Sequence, residues 1–210
     1  MTTIVDWLNT PVFYSFGAPT SWAEVLGFLT GALCVFLVAK QNIWNWPIGI
    51  LNNVLWIVLF ITAGLYADSA LQVVYIVLAL IGWYLWLFGG TNRSELKVTK
   101  TTGDQWVGLL IIGFFGFIFM YQILLQYTPS TVPAWDALTT VLSLMAVWGQ
   151  MKKKLESWYL WMLADIIYIP LYVYKGLSLT AILYAGFFAL CVMGLIKWKR
   201  ALEEQCSVPA

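Results

Sequence analysis

The sequence predicts an all-α integral membrane protein, with seven transmembrane helices arranged as three, one and three. Three observations predict it. Of 210 residues, 61% are apolar and 10% charged, whereas a soluble domain carries about 25% charged residues. Runs of roughly 20 apolar residues, the length that crosses a bilayer core, occur seven times along the chain. The chain also repeats itself: a shift of 112 residues aligns the first three runs with the last three without a gap.

The elements follow in order. Residues 1–21 form an N-terminal interfacial segment; Trp7, Phe13, Tyr14 and Phe16 suit the membrane surface, and no basic n-region marks a cleaved signal peptide. Spans at 22–39, 44–63 and 68–89 make a first three-helix repeat within 22–90. Residues 91–132 hold a loop and a linking span at 105–127. Spans at 133–151, 156–174 and 178–197 make a second three-helix repeat within 133–200, and 201–210 is a cytoplasmic tail.

Seven spans put the two ends on opposite sides. Lys40, Arg93, Lys97, Lys100, Lys152, Lys153, Lys154, Lys197, Lys199 and Arg200 then share one side, and only Lys175 falls on the other. The positive-inside rule makes the crowded side cytoplasmic, with the N-terminus outside and the C-terminus inside. The repeat supports the same count. Lys40/Lys152, Trp46/Trp158, Gly64/Gly176, Leu65/Leu177, Gly82/Gly194 and Trp86/Trp198 are identical pairs, and Glu24 aligns with Asp136. One linking helix between the triplets makes the repeats parallel. Parallel repeats of this kind belong to transporters such as SWEETs, whose substrate site lies near the midplane between the repeats.

The segment ESWYLWMLADIIYIPLY (156–172) carries a carboxylate where the rest is apolar or aromatic. Trp158, Trp161, Asp165, Tyr168 and Tyr172 share one helical face. Asp165 lies about nine residues from the cytoplasmic end, roughly 14 Å deep at 1.5 Å per residue. Facing lipid there costs an ionised carboxylate at least about 2.5–3.5 kcal/mol. Asp165 is therefore expected to face a protein interior or a wet cavity. The repeat aligns Asp165 with Asn53, Tyr168 with Trp56 and Tyr172 with Phe60; Trp46 and Gly49 complete that face. Asn52 adds a second amide, and Gln72 a third on the next helix. The functional reading is a central pocket with aromatic walls for a flat, preferably cationic ring, amides for hydroxyl or carboxamide groups, and Asp165 as counter-charge. The same residues also suit helix packing and cross-helix hydrogen bonds. Glu24, Asp68 and Asp136 read as first-turn or capping residues. Pro170 is expected to kink the sixth span.

Other chemistry has little to work with. The chain has no histidine, and no Ser-x-x-Lys or carboxylate cluster occurs, so the sequence points to no enzyme, metal site or cofactor. Cys34, Cys191 and Cys206 show no CxxC spacing. A net charge of +1 without a basic patch gives no nucleic-acid surface.

At WPIGILNNVLWIVLFITAGLYADSALQVVYIVLALIGWYLW (46–86) and WYLWMLADIIYIPLYVYKGLSLTAILY (158–184) the chain resembles the PnuC family of bacterial vitamin transporters. The resemblance covers nearly the whole chain. It implies a 3-1-3 fold like that of SWEETs, a homotrimer in the bacterial inner membrane, and uptake of nicotinamide riboside. Transport would be facilitated diffusion, with cytoplasmic phosphorylation trapping the product for NAD biosynthesis. Relatives that take thiamin or riboflavin, and proton-coupled uptake through Asp165, are the alternatives. Trp46, Asn53, Trp158, Trp161, Asp165 and Tyr168 are the binding residues carried over, joined by Asn52, Trp56 and Gln72.

Overall fold

The computed structural model describes residues 3–15, 18–62, 66–128, 131–174 and 178–207. Phe16, the Gly64–Leu65 and Gly176–Leu177 pairs and Lys175 lie outside them, as do the side chains of Asp68 and Cys206. The chain forms two compact units, Met1–Glu95 and Leu96–Ala210.

The first unit opens with α1 (Ile4–Leu8) and an antiparallel hairpin, β1 (Pro11–Ser15) and β2 (Ala18–Ser21). Thr3 caps α1: its hydroxyl accepts from the Asp6 amide while Asp6 accepts from the Thr3 amide. Those bonds hold the Asp6 carboxyl below the ordinary carboxylate value. The hairpin feeds into α2 (Trp22–Ala39), followed by α3 (Asn45–Thr62) and α4 (Tyr66–Phe88). At the start of α2, Ser21 and Glu24 form a capping box, which is the role expected of Glu24. α2 packs on α3 and α3 on α4. Leu8 of α1 is buried with Ala23 and Leu55, and Trp7 stacks on Trp22 at 5.5 Å. This apolar contact holds the N-terminal segment to the ends of α2 and α3.

The second unit holds α5 (Gly103–Tyr127), α6 (Pro133–Met151), α7 (Ser157–Tyr174) and α8 (Ser178–Ser207), each packed on the next. Pro133 occupies the first position of α6, where its missing N–H costs nothing, and Asp136 lies in the first turn as expected. α7 runs through Pro170 as one helix. α8 reaches Ser207, ten residues past the expected end, because Lys197–Gln205 is polar yet rich in good helix formers.

The expected spans match α2 to α8 within about two residues, apart from that extension of α8. Among the described residues, five helices (α2, α3, α4, α5 and α8) are long and apolar enough to cross a membrane on composition alone. α6 and α7 fall short because Asp136, Thr139, Thr140, Ser143 and Asp165 sit on them, along with many Trp and Tyr side chains. α5 shows the opposite character: Leu110, Ile112, Phe115 and Phe119 are each more than 60% exposed. Such a face is stable against lipid and not against water.

The repeat is visible in backbone detail. The turn after α2 and the turn after α6 share a left-handed residue, Gln41 (φ 54) and Lys153 (φ 46). Their hydrogen bonds match as well: the Asn42 amide donates to the Leu37 carbonyl at 2.9 Å, and the Lys154 amide to the Gly149 carbonyl at 2.7 Å.

Candidate functional site

Two tryptophans expected at the site turn out to be wedges between helices. Trp46 of α3 meets Trp86 of α4 edge to face at 5.3 Å, and a Cβ on Gly82 would collide with the Trp46 ring. In the second unit Trp158 meets Trp198 at 5.4 Å, and a Cβ on Gly194 would collide with Trp158. Trp158 and Trp198 are fully buried and Trp46 nearly so. Both faces of each wedge are therefore occupied by protein. The ring nitrogens of Trp46 and Trp158 have no hydrogen-bond partner among the described residues, a cost that shape and ring area offset.

Further along α7 the second unit is polar inside. Asp165 is 3% exposed, so the fold removes it from lipid entirely. Among the described residues its one hydrogen-bond donor is the Cys191 thiol of α8, at 3.7 Å. A thiol is a weak donor, so the carboxylate keeps most of its capacity to accept hydrogen bonds or to pair with a cation. One turn on, Tyr168 stacks on Tyr172 at 5.5 Å and leans on Tyr184 of α8 at 4.8 Å. The rings of Tyr172 and Tyr184 lie 5.0 Å apart. The Tyr168 hydroxyl reaches the side chains of Thr139 and Ser143 on α6, both buried. Trp161 packs beside Leu142, Ala146, Leu160 and Ala164, its ring nitrogen without a partner among the described residues. Three helices thus gather one carboxylate, three phenols and two hydroxyls.

The first unit builds the same frame with different groups. Trp56 stacks on Phe60 at 5.5 Å, as Tyr168 does on Tyr172. Gly27 faces Trp56 where Thr139 faces Tyr168. Asn52 is turned to α2, donating to the Gly27 carbonyl and to the Thr30 hydroxyl at 2.9 Å. That amide ties two helices. Asn53, the partner of Asp165 in the repeat, is half-buried and its side chain makes no hydrogen bond among the described residues; the same holds for Gln72.

Of the expected residues, Asp165, Tyr168 and Trp161 share one interior in the second unit, and Asn53, Trp56 and Gln72 remain as groups of the first. Thr139, Ser143, Tyr184 and Cys191 are not brought together by the sequence pattern. Their signal lies in the alignment of α6 and α8 against α7, which no single-helix pattern contains. Two open grooves of the second unit lie elsewhere. One of about 550 Å³ is lined by Trp135, Ile166, Pro170 and Tyr174, and one of about 360 Å³ by Gly108, Gly113, Met145 and Trp148. Among the described residues no group of three metal-ligating side chains occurs.

Comparison with known proteins gives a consistent picture. Residues 21–200 match the family described as nicotinamide mononucleotide transporter. The riboflavin/roseoflavin transporter RibM of Streptomyces davaonensis is 25% identical over 92% of this chain and 92% of its own. The nicotinamide riboside transporter PnuC of Escherichia coli is 24% identical over 91% of this chain and 90% of its own. Its namesake from Neisseria mucosa is 27% identical over 89% and 75%. A crystal structure of the vitamin B3 transporter PnuC superimposes with a TM-score of 0.69 at 25% identity, covering 87% of this chain and 83% of that one.

Proposed function

The chain belongs to the nicotinamide mononucleotide transporter family, and from that premise we propose that this multi-pass membrane protein carries nicotinamide riboside by facilitated diffusion. Phosphorylation in the cytoplasm then traps the product. The observation that carries this reading is Asp165, a carboxylate 3% exposed with a thiol as its only described donor, beside three tyrosine rings. A pyridinium ring supplies the positive charge that such a carboxylate lacks, and tyrosine faces attract it further. The hydroxyls of Thr139 and Ser143 suit a ribose. The same interior argues for the riboside over its mononucleotide. Asp165 would repel a phosphate, and none of the groups gathered around it is a lysine or arginine.

We assign ring recognition to Trp161, Asp165 and Tyr168 of the second unit. Asn53, Trp56 and Gln72 of the first unit supply a second polar, aromatic face. Trp46 and Trp158 act as wedges, and Asn52 as a tie between α2 and α3. The wider reading has α2 to α8 all spanning the membrane, the N-terminus and its interfacial segment outside, the basic ends inside, and three copies assembled together.

Titration of purified protein with nicotinamide riboside, thiamin and riboflavin tests the substrate. Tightest binding of the riboside is expected; riboflavin binding first would transfer the assignment to the chemistry named for RibM. Uptake into liposomes tests the mechanism. Equal initial rates with and without a pH gradient are expected, and accumulation driven by the gradient would replace facilitated diffusion with proton coupling through Asp165.

A further inference from the structure

Asp165 sits near stronger hydrogen-bond donors than the one it receives. Tyr168, one turn along α7, reaches the hydroxyls of Thr139 and Ser143 on α6. The Thr139 hydroxyl donates to the Trp135 carbonyl at 2.9 Å. Among the described residues the carboxylate accepts from none of these. Its Oδ2 accepts from the Cys191 thiol of α8 at 3.7 Å, and its Oδ1 has no donor among the described residues. Both partners are buried. A hydroxyl on a carboxylate bonds at about 2.5–2.7 Å and roughly twice as strongly as a neutral pair, whereas a thiol is a weak donor. Packing alone does not call for the sulfur. The repeat aligns Cys191 with Ala79, which is also buried, and Asp165 with Asn53. An alanine therefore fits the same position of the frame in the half that carries an amide, and the thiol occurs in the half that carries the acid.

We propose that Cys191 sets the preference for a cationic ring by giving Asp165 a donor too weak to satisfy it. The thiol offsets part of the cost of burying the carboxylate and leaves most of its charge for the ligand. A stronger donor at this position would quench that charge and favour uncharged rings. An apolar residue would leave the buried charge with still less compensation. Cys191 acts through Asp165 and is thus a positioning residue. The inference deepens the riboside reading and rests on it, through the part Asp165 plays as counter-charge.

The test compares binding of nicotinamide riboside with binding of its dihydro form to the intact protein in detergent. The dihydro form keeps the ribose and the carboxamide and has lost the ring charge, so the ratio of the two affinities reads the charge. Wild type is expected to favour the cation about tenfold or more. Cys191→Ser, whose hydroxyl bonds the carboxylate after a small rotation of the Asp165 side chain, should lower that ratio about threefold or more. Cys191→Ala should keep the ratio at the wild-type value or raise it. A residue that only packs would change both affinities alike and leave the ratio fixed. Thermal unfolding gives a second readout. Cys191→Ser should unfold at a higher temperature than wild type, and the gain should fall to about half or less when Asp165→Asn removes the charge. A tenfold preference in wild type with an unchanged ratio in Cys191→Ser, or a lowered ratio in Cys191→Ala, would overturn this proposal alone. Equal wild-type affinities for the two compounds would sink the counter-charge reading, and the proposal with it. If wild type binds neither compound, the riboside reading falls and the unfolding comparison decides: a serine variant no more stable than wild type would overturn the proposal.

Discussion

Asp165 concentrates the conflict between stability and binding in one side chain. Its burial against a single thiol means the empty site holds a poorly compensated charge. Removing that charge relieves the strain on the fold while depriving a cationic ligand of its partner. Asp165→Asn is therefore expected to unfold at the same temperature as wild type or higher, and to bind nicotinamide riboside at least about tenfold more weakly, a loss of about 1.4 kcal/mol. Thermal unfolding and calorimetric titration in detergent measure both; wild-type affinity would make Asp165 a packing residue. Gly82 and Gly194 make the opposite case. Alanine at either position drives a Cβ into a tryptophan ring, and such overpacking costs about 1–3 kcal/mol. Each variant should unfold at lower temperature, and whatever remains folded should still bind.

At the level of elements, α2 and α3 are joined by a buried amide. Asn52→Ala removes the bonds to Gly27 and Thr30, at a cost near 0.6 kcal/mol and no more than about 1.7 kcal/mol by the measured range for interhelical bonds in membranes. Affinity should be unchanged; a tenfold loss of binding would return Asn52 to the ligand site. Much of this level was legible beforehand. Helix limits are written in the breaks between apolar runs, so Trp22–Ala39 and Pro133–Met151 fall where the sequence puts them. The N-terminal hairpin was not legible, because PVFYS and APTS are too short for a clear alternation of side chains. The isolated bridge of Thr99 to Lys154 escaped for a related reason: Val98–Thr101 has no pattern of its own and takes its shape from a turn some 55 residues away. The aromatic stripe on α7 was legible as a stripe, but periodicity cannot say that Trp158 faces Gly194 while Tyr168 faces hydroxyls.

For the whole molecule, ten basic residues against one set the expected orientation. A single cysteine placed at Tyr14, on a background without native cysteines, should react with an impermeant maleimide in intact cells. One placed at Lys199 should react only after the membrane is opened. The reverse pattern would invert the protein in the bilayer and exchange the two sides of every argument about uptake. Both positions are exposed, so neither label has to disturb the fold.

The tryptophan wedges also bear on how the two halves were able to diverge. Within each half, Trp, Gly and Trp interlock so closely that a change at one requires a matched change at another. These positions are the same in both halves: Trp46 and Trp158, Gly82 and Gly194, Trp86 and Trp198. Among the positions that differ are Gly27 and Thr139, Asn53 and Asp165, Trp56 and Tyr168, and Gln72 and Tyr184. The wedge thus keeps one scaffold in both halves, while one half carries an acid where the other carries an amide.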